Sequence, residues 1–227
     1  MTAAINAGWH KRHPMPKRPT MGERIAWHVE HQKRCACRPI PLALQEQTPT
    51  GATGKSSLRR LLSGGDRRSI AHSRRARALV EAYPSYVGEL ANLAEDGDRL
   101  VSMRAMDLLE KLAHAHAAWV QPHKRLFIGP LADSDSWEIR LQVVRALPLL
   151  SWTARERNRV VRILCRDIEH PQKFVRAWAL DSLATFALED RTLMPIVARA
   201  IDHFECSGSK ALQTRARHVR ERIGNAG

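Results

Sequence analysis

The stretch VRAWALDSLA at residues 175–184 decides the fold, because its pattern returns along the chain at a nearly constant interval. The matching stretches are MRAMDLLEKL at 103–112, IRLQVVRALP at 139–148 and TRARHVRERI at 214–223. The arginines at their second positions are 36, 36 and 39 residues apart. The positions one, four and eight residues after each arginine are apolar and fall on one side of an α-helix. We therefore predict four equivalent helices, each with one apolar face.

Between these helices lie further segments with an apolar face of their own, for example residues 86–93, 126–131, 160–168 and 196–201. The repeating unit is therefore a helix, a short turn and a second helix. Thr153 followed by Glu156 predicts a capping box at the start of one helix. Pro148 predicts an early end to another, because proline lacks the backbone N–H that a helix interior needs. A single helix pair is too thin to bury its own apolar face, so neighbouring pairs must stack.

The Arg-Ala-x-x-x-Leu pattern, with Asp98 and Asp135 ahead of two of the arginines, resembles the HEAT repeats of armadillo-like proteins. Residues 64–223 also resemble small bacterial HEAT-repeat-domain proteins that have no assigned activity. The resemblance implies an all-α fold, a right-handed α-solenoid of about four HEAT-like helix pairs. It is specific for the fold and implies no particular function.

We expect two parts, a basic N-terminal extension and linker at residues 1–60 and the HEAT-like α-solenoid at residues 61–227. The net charge is +14, and residues 1–65 contain 11 Lys and Arg against 3 Asp and Glu, so the extension is the more basic part. We expect the extension to be poorly ordered, because Pro, Gly, Thr and charged residues replace periodic apolar ones. The exception is a short helix predicted near residues 22–34. Met21 is an alternative start of the chain.

The composition argues against several classes of protein. No run approaches the roughly 18 apolar residues that a membrane-spanning helix needs, and the N-terminus lacks the apolar core of a signal peptide. Four cysteines do not make a disulfide scaffold, so a reducing, cytoplasmic location is expected. Gly54-Lys55-Ser56 is not a phosphate-binding loop, because Pro49 stands where that motif requires a glycine. We expect no cofactor.

A group of His and Cys residues in and after the predicted N-terminal helix suggests a metal site. His28, His31, Cys35 and Cys37 supply four candidate ligands, and the first three fall on one helical face. Tetrahedral Zn²⁺ takes four nitrogen or sulfur ligands. The alternative interpretation is a basic helix that carries an ordinary His pair and docks on the solenoid.

The recurring arginines and the basic last helix are the candidates for partner binding. The set is Arg104, Arg140, Arg176, Arg215, Arg217 and Arg220. A column of arginines that recurs with the repeat more often links one repeat to the next, through carboxylates or the carbonyl groups at helix C-termini. We interpret Trp119, Trp137, Trp152 and Trp178 as packing residues.

The spacing of residues along the sequence suggests no catalytic set of nucleophile, base and carboxylate. We therefore expect the protein not to be an enzyme. The leading hypothesis is a non-enzymatic scaffold or adaptor whose concave face binds a macromolecular partner, in the first place a protein. The alternative is a solenoid that binds nucleic acid through the basic N-terminal segment and the terminal helix. A glycosylase of the DNA-alkylation-repair type, which resembles HEAT repeats in fold, is a less favoured form of that alternative. No membrane partner is expected.

Overall fold

The computed structural model describes residues 6–35, 44, 57–66 and 72–225, and within these ranges the chain forms helices and turns but no strand. The α-helices of these ranges are α1 (Ala7–Arg12), α2 (Met21–Arg34), α3 (Ser57–Leu62), α4 (Ser73–Ala82), α5 (Val87–Leu93), α6 (Arg99–Val120), α7 (Trp137–Ala146), α8 (Ala154–Ile168), α9 (Lys173–Glu189), α10 (Met194–Glu205) and α11 (Lys210–Gly224). Short 3-10 helices span Pro84–Tyr86, Gln121–Ile128, Pro130–Asp133, Leu147–Leu149 and Arg191–Leu193. None of the described helices is both long enough and apolar enough to cross a membrane.

The chain divides into two compact units, Met1–Tyr86 and Val87–Gly227. The first unit contains α1 to α4, and the second contains α5 to α11. A solenoid that starts at residue 61 stays a prediction from the sequence. Within the first unit α3 contacts α4, and Ile25 and Leu44 form a small buried cluster against which Val29 and Tyr83 pack.

The second unit is built in two layers. The B helices, α6, α7, α9 and α11, carry the repeated sequence and contact one another in that order. The A elements are α5, the two 3-10 helices at Gln121–Asp133, α8 and α10, and each packs on the B helix that follows it in the chain. Four pairs therefore stack side by side, as the 36-residue spacing predicted.

The core of the second unit lies between these two layers. The apolar residues four positions after each repeated arginine, Leu108, Val144, Leu180 and Val219, are all at most 2% exposed. Each lies on a different B helix. The face that the sequence pattern predicted to be buried is thus the face on which the pairs stack.

Local sequence signals explain where several helices begin and end. The Thr153 side chain accepts a hydrogen bond from the backbone of Glu156, and the Glu156 side chain bonds back to Thr153, which confirms the predicted capping box of α8. Asp98 caps α6 by accepting from the amides of Leu100 and Val101. Helix α7 ends at Ala146, and Pro148 lies in the 3-10 turn that follows, as predicted.

The second pair departs from the helix-turn-helix prediction, because its A element is not an α-helix. Gln121–Ile128 and Pro130–Asp133 are two 3-10 helices separated by Gly129. A Cβ atom at Gly129 would lie 2.9 Å from the carbonyl oxygen of Arg125, so the close approach requires glycine there. Pro130 cannot continue an α-helical hydrogen-bond ladder. Phe127 and Leu131 are nevertheless buried and fill the core as an A helix would.

Glu156 also links two successive A elements, through contacts that lower the pKa of its carboxyl group. Lys124 Nζ lies 2.7 Å from Glu156 Oε2, and the Thr153 backbone N–H donates to the same oxygen at 2.9 Å. These hydrogen bonds, that from Lys124 first, lower the pKa of Glu156 to about 2. An acid whose pKa is lowered by folding stabilises the fold above its unfolded pKa and loses that contribution as the pH falls toward the folded one.

We therefore expect Glu156→Gln to lower the melting temperature at neutral pH, because glutamine keeps the capping geometry but removes the charge. The difference from the parent chain should shrink as the pH falls from about 4.5 to about 2. Thermal unfolding followed by circular dichroism at a series of pH values measures it. Glu95→Gln, at an exposed turn residue, is the control. A difference that stays constant down to pH 2 would contradict the assignment.

Candidate partner-binding face and candidate metal cluster

The repeated arginines of the middle pairs connect one repeat to the next. Arg140 on α7 reaches Asp167 on α8 with two guanidinium nitrogens, one per carboxylate oxygen, and its Nε lies 3.2 Å from Oδ2. Asp167 is fully buried and also accepts from Arg166 Nε at 3.0 Å. Such a two-point contact is the strongest arrangement that an arginine makes with a carboxylate. Arg104 is 4% exposed, so it too belongs to the interior.

Arg176 makes a contact of the same kind with different groups. Its Nε donates to the carbonyl oxygen of Ile168, in the last turn of α8, at 2.9 Å. Its guanidinium lies 5.0 Å from the ring centre of Phe204 and 3.1 Å from His203 Nε2, both on α10. The positive charge therefore meets the negative end of a helix dipole and an aromatic face.

The last repeated arginine, Arg215, contacts a neighbouring B helix instead of an A element. Its Nη1 lies 3.0 Å from Asp181 Oδ1 on the neighbouring B helix, α9. Arg220 pairs with Asp202 and Glu205 on α10, both at 2.8 Å. Arg217 is exposed and has no ion-pair partner among the described residues.

The B helices share a partly exposed surface, which we call the B face. Side chains spaced three or four positions apart lie along it on each helix. On α9 they are Phe174, Trp178, Asp181, Thr185 and Leu188, and on α11 they are Ala211, Arg215, His218 and Arg222. On α6 and α7 they include Asp107, Lys111, His114, Gln142 and Arg145. Gln142 Nε2 donates to Asp107 at 3.3 Å and so joins α7 to α6.

Trp178 lies at the centre of the B face between two arginines. The guanidinium carbon of Arg145, on α7, lies 4.8 Å from the indole centre, and that of Arg215, on α11, lies 4.0 Å from it. Both distances are within the range of cation–π contact. Three successive B helices thus meet at one aromatic ring. The sequence interpretation of Trp178 as a packing residue missed this arrangement, because spacing along one helix does not show what two neighbouring helices present.

Buried or half-buried carboxylates hold these arginines in place. Glu110 lies 2.8 Å from Arg145 and 3.1 Å from His114, and its side chain is 1% exposed. Burial raises the pKa of Glu110, and the neighbouring Arg145 and His114 oppose that rise. These contacts are ion pairs rather than well-aligned hydrogen bonds, because neither oxygen of Glu110 accepts one from a described residue. Asp181 accepts from Arg215 and, at 3.4 Å, from Arg222.

The other tryptophans have packing or supporting roles. Trp119 stacks on His116 with ring centres 3.9 Å apart, and Trp152 Nε1 donates to the carbonyl oxygen of Leu147 at 2.7 Å. Trp137 lies 6.4 Å from the ring of Phe174, which is 45% exposed. This pair adds an exposed apolar point to the end of the B face where α7 and α9 begin.

In the first unit, the structure brings together only part of the predicted metal set. His31 on α2 and Cys35, the residue that directly follows α2, are 3% and 7% exposed. Their third neighbour is His10 on α1, and one ligand atom from each of the three lies within 4.8 Å of the others. His28 is outside this group, and burial together with the charge of Arg24 lowers its pKa. Cys37 lies outside the described residues.

Comparison with known proteins shows the fold and no activity. No protein-family model matches the sequence, and no curated protein does. One engineered protein of known structure superposes with a TM-score of 0.54 at 18% identity, covering 75% of this chain and 79% of its own. A second gives 0.51 at 16% identity, covering 90% and 89%.

A designed armadillo repeat protein in complex with the peptide (KR)4 superposes with a TM-score of 0.51 at 13% identity, covering 88% of this chain and 89% of its own. The fold of the present chain is armadillo/HEAT-like. It is the fold that the arginine-centred repeat predicted. At these identities the likeness concerns the fold alone.

Proposed function

We propose that this protein is a non-enzymatic scaffold or adaptor that binds a protein partner on its B face. The observation that supports it is the Arg145–Trp178–Arg215 stack. Solenoids of stacked helix pairs present extended surfaces on which partners dock. The free thiols of Cys165 and Cys206 are consistent with a protein that works in the reducing cytoplasm.

The stack has the composition of an interface hot spot. Tryptophan and arginine dominate the few residues that supply most of the binding energy at protein interfaces. Trp178 is half-buried, and the two arginines are held by carboxylates before any partner arrives. A partner therefore meets side chains that are already ordered, so less conformational entropy is lost on binding.

The charges of the B face indicate a partner segment with acidic side chains. Arg145, Arg215 and Arg222 are 24–32% exposed, whereas Glu110 and Asp181 are 1% and 13% exposed. Lys210, Thr214 and His218 line an adjacent open depression of about 570 Å³. The cations therefore face solvent while their counter-charges lie beneath them. The designed armadillo repeat protein of similar fold is in complex with the basic peptide (KR)4, and the charge on this B face predicts the opposite preference.

Selection of a random peptide display library on the full chain tests the proposal. We expect enriched peptides to combine acidic and aromatic residues and to bind in the micromolar range. Trp178→Ala should weaken that binding at least about tenfold, because it removes the ring and the support of both arginines. Arg162→Ala, at an exposed position on α8, is the matched control and should leave binding unchanged. Peptides that bind the Trp178→Ala chain as well as the parent would contradict the proposal.

The contacts of the arginines argue against the nucleic-acid alternative. Arg140, Arg176 and Arg220 contact carboxylates, a carbonyl group or an aromatic ring of the same chain. In the same assay, duplex DNA at low salt serves as the competitor. Tight DNA binding would favour nucleic acid over protein if the logarithm of its binding constant falls linearly and steeply with the logarithm of the salt concentration.

A further inference from the structure

We propose that His10, His31 and Cys35 form a zinc site that links α1 to α2. The observation is the convergence of two imidazoles and one thiol, whose ligand atoms lie within 4.8 Å of one another. The site is independent of the B face and of the function proposed for it. It also differs from the set that the sequence predicted, since His10 takes part and His28 does not.

The three ligands come from two helices that are fastened together at this point. His31 lies in the last turn of α2, and Cys35 directly follows the helix and donates its backbone N–H to the His31 carbonyl oxygen at 2.8 Å. Asn6 caps α1 by accepting from the Trp9 amide at 3.0 Å, and its own side-chain amide donates to the Arg34 carbonyl oxygen at 3.1 Å. These bonds hold the start of α1 against the end of α2, where the thiol lies.

The donor set and the geometry fit zinc. Zn²⁺ binds histidine nitrogen at about 2.0–2.1 Å and cysteine sulfur at about 2.3 Å, so the ligands of one tetrahedral ion lie roughly 3.5 Å apart. Small side-chain rotations bring atoms within 4.8 Å to that separation. Three protein ligands leave the fourth position of the tetrahedron to water.

The surroundings of the ligands favour a bound ion over a chance contact. The Asn6 backbone N–H donates to Cys35 Sγ at 3.2 Å, which stabilises a thiolate. His31 stacks on Trp27 with ring centres 4.9 Å apart and an interplanar angle of 6°, so its orientation is fixed. Two of the three ligands are more than nine-tenths buried. Water therefore competes weakly for the metal at those ligands.

A bound metal would also stabilise the short helix α1. Helix α1 has six residues, of which Trp9 is buried, and so short a helix is unstable by itself. Aromatic contacts hold it to α2, with the ring centres of Trp9 and Trp27 5.6 Å apart. Small units commonly use a metal or a disulfide in place of a large apolar core.

The test begins with the full chain and needs no variant. After purification and dialysis we expect about one zinc ion per chain by elemental analysis. Cobalt added to the metal-free chain should give the intense visible bands of a tetrahedral site and a thiolate charge-transfer band. Alkylation followed by peptide mapping should show Cys35 protected until a chelator is added. Cys206, exposed on the second unit, should react at the same rate throughout.

Variants then identify the ligands. His10→Ala and Cys35→Ser should each weaken zinc binding at least about tenfold, whereas His28→Ala and Cys206→Ser should leave it unchanged. Circular dichroism shows whether each variant remains folded. A parent chain without stoichiometric zinc and without the cobalt bands would overturn the proposal. So would zinc that survives His10→Ala and is lost in His28→Ala, because that result would return the site to the sequence-derived set.

Discussion

Asp167→Ala should destabilise the second unit by about 3–5 kcal/mol, because it leaves Arg140 charged, mostly buried and without its carboxylate. The Arg140 side chain is 14% exposed and the Asp167 side chain 0%. The pair joins α7 to α8, so its loss weakens the contact between two neighbouring repeats. Urea unfolding followed by circular dichroism measures the change in the free energy of unfolding.

Two further variants isolate the cause. Asp133→Ala removes the other carboxylate near this site, which pairs with Arg166 at 2.7 Å but is 61% exposed. We expect that change to lower stability by less than about 1 kcal/mol. Replacing both Arg140 and Asp167 with leucine should recover much of the loss, because no buried charge then lacks a partner. A small effect of Asp167→Ala would mean that the arginine column contributes little to stacking.

Leu180→Ala should lower the free energy of unfolding by about 2–5 kcal/mol, the range for removing a buried leucine side chain and leaving a cavity. Leu180 is fully buried on α9, the B helix that contacts both α7 and α11. No partner is needed to see this effect, and the same urea titration measures it.

Leu188→Ala provides the matched control, since it makes the same substitution on the same helix at a partly exposed position. We expect it to lower stability by about 1 kcal/mol or less. Equal losses for the two variants would mean that the apolar faces do not form the continuous core on which the repeat architecture depends.

The fold could be predicted from the sequence because the signal is local and repeated. Arg140 and Arg176 are 36 residues apart, and Val144 and Leu180 keep the same distance from them. A helical period and a repeat period are enough to place such residues. The A element of the second pair was predicted less well, because Phe127 and Leu131 are apolar and correctly spaced although Gly129 interrupts the helix.

The candidate sites were harder to predict, because they depend on contacts between segments that are distant in sequence. His10 precedes His31 by 21 residues and lies on a helix too short to show periodicity. The sequence placed His31 and Cys35 on one face with His28, because spacing along one helix cannot show that His10 comes close from another. Trp178 likewise meets Arg145 and Arg215 only after three helices have stacked.

Arg176 makes contacts that cross the boundary between two sequence repeats. One guanidinium holds the end of α8 and the ring of Phe204 on α10 while its own backbone belongs to α9. Breaking away any one of these three helices therefore disrupts a contact shared by the others. The segment that gene duplication would copy is a helix pair, but the smallest cooperative block of the folded protein is larger and extends across the boundary between two copies.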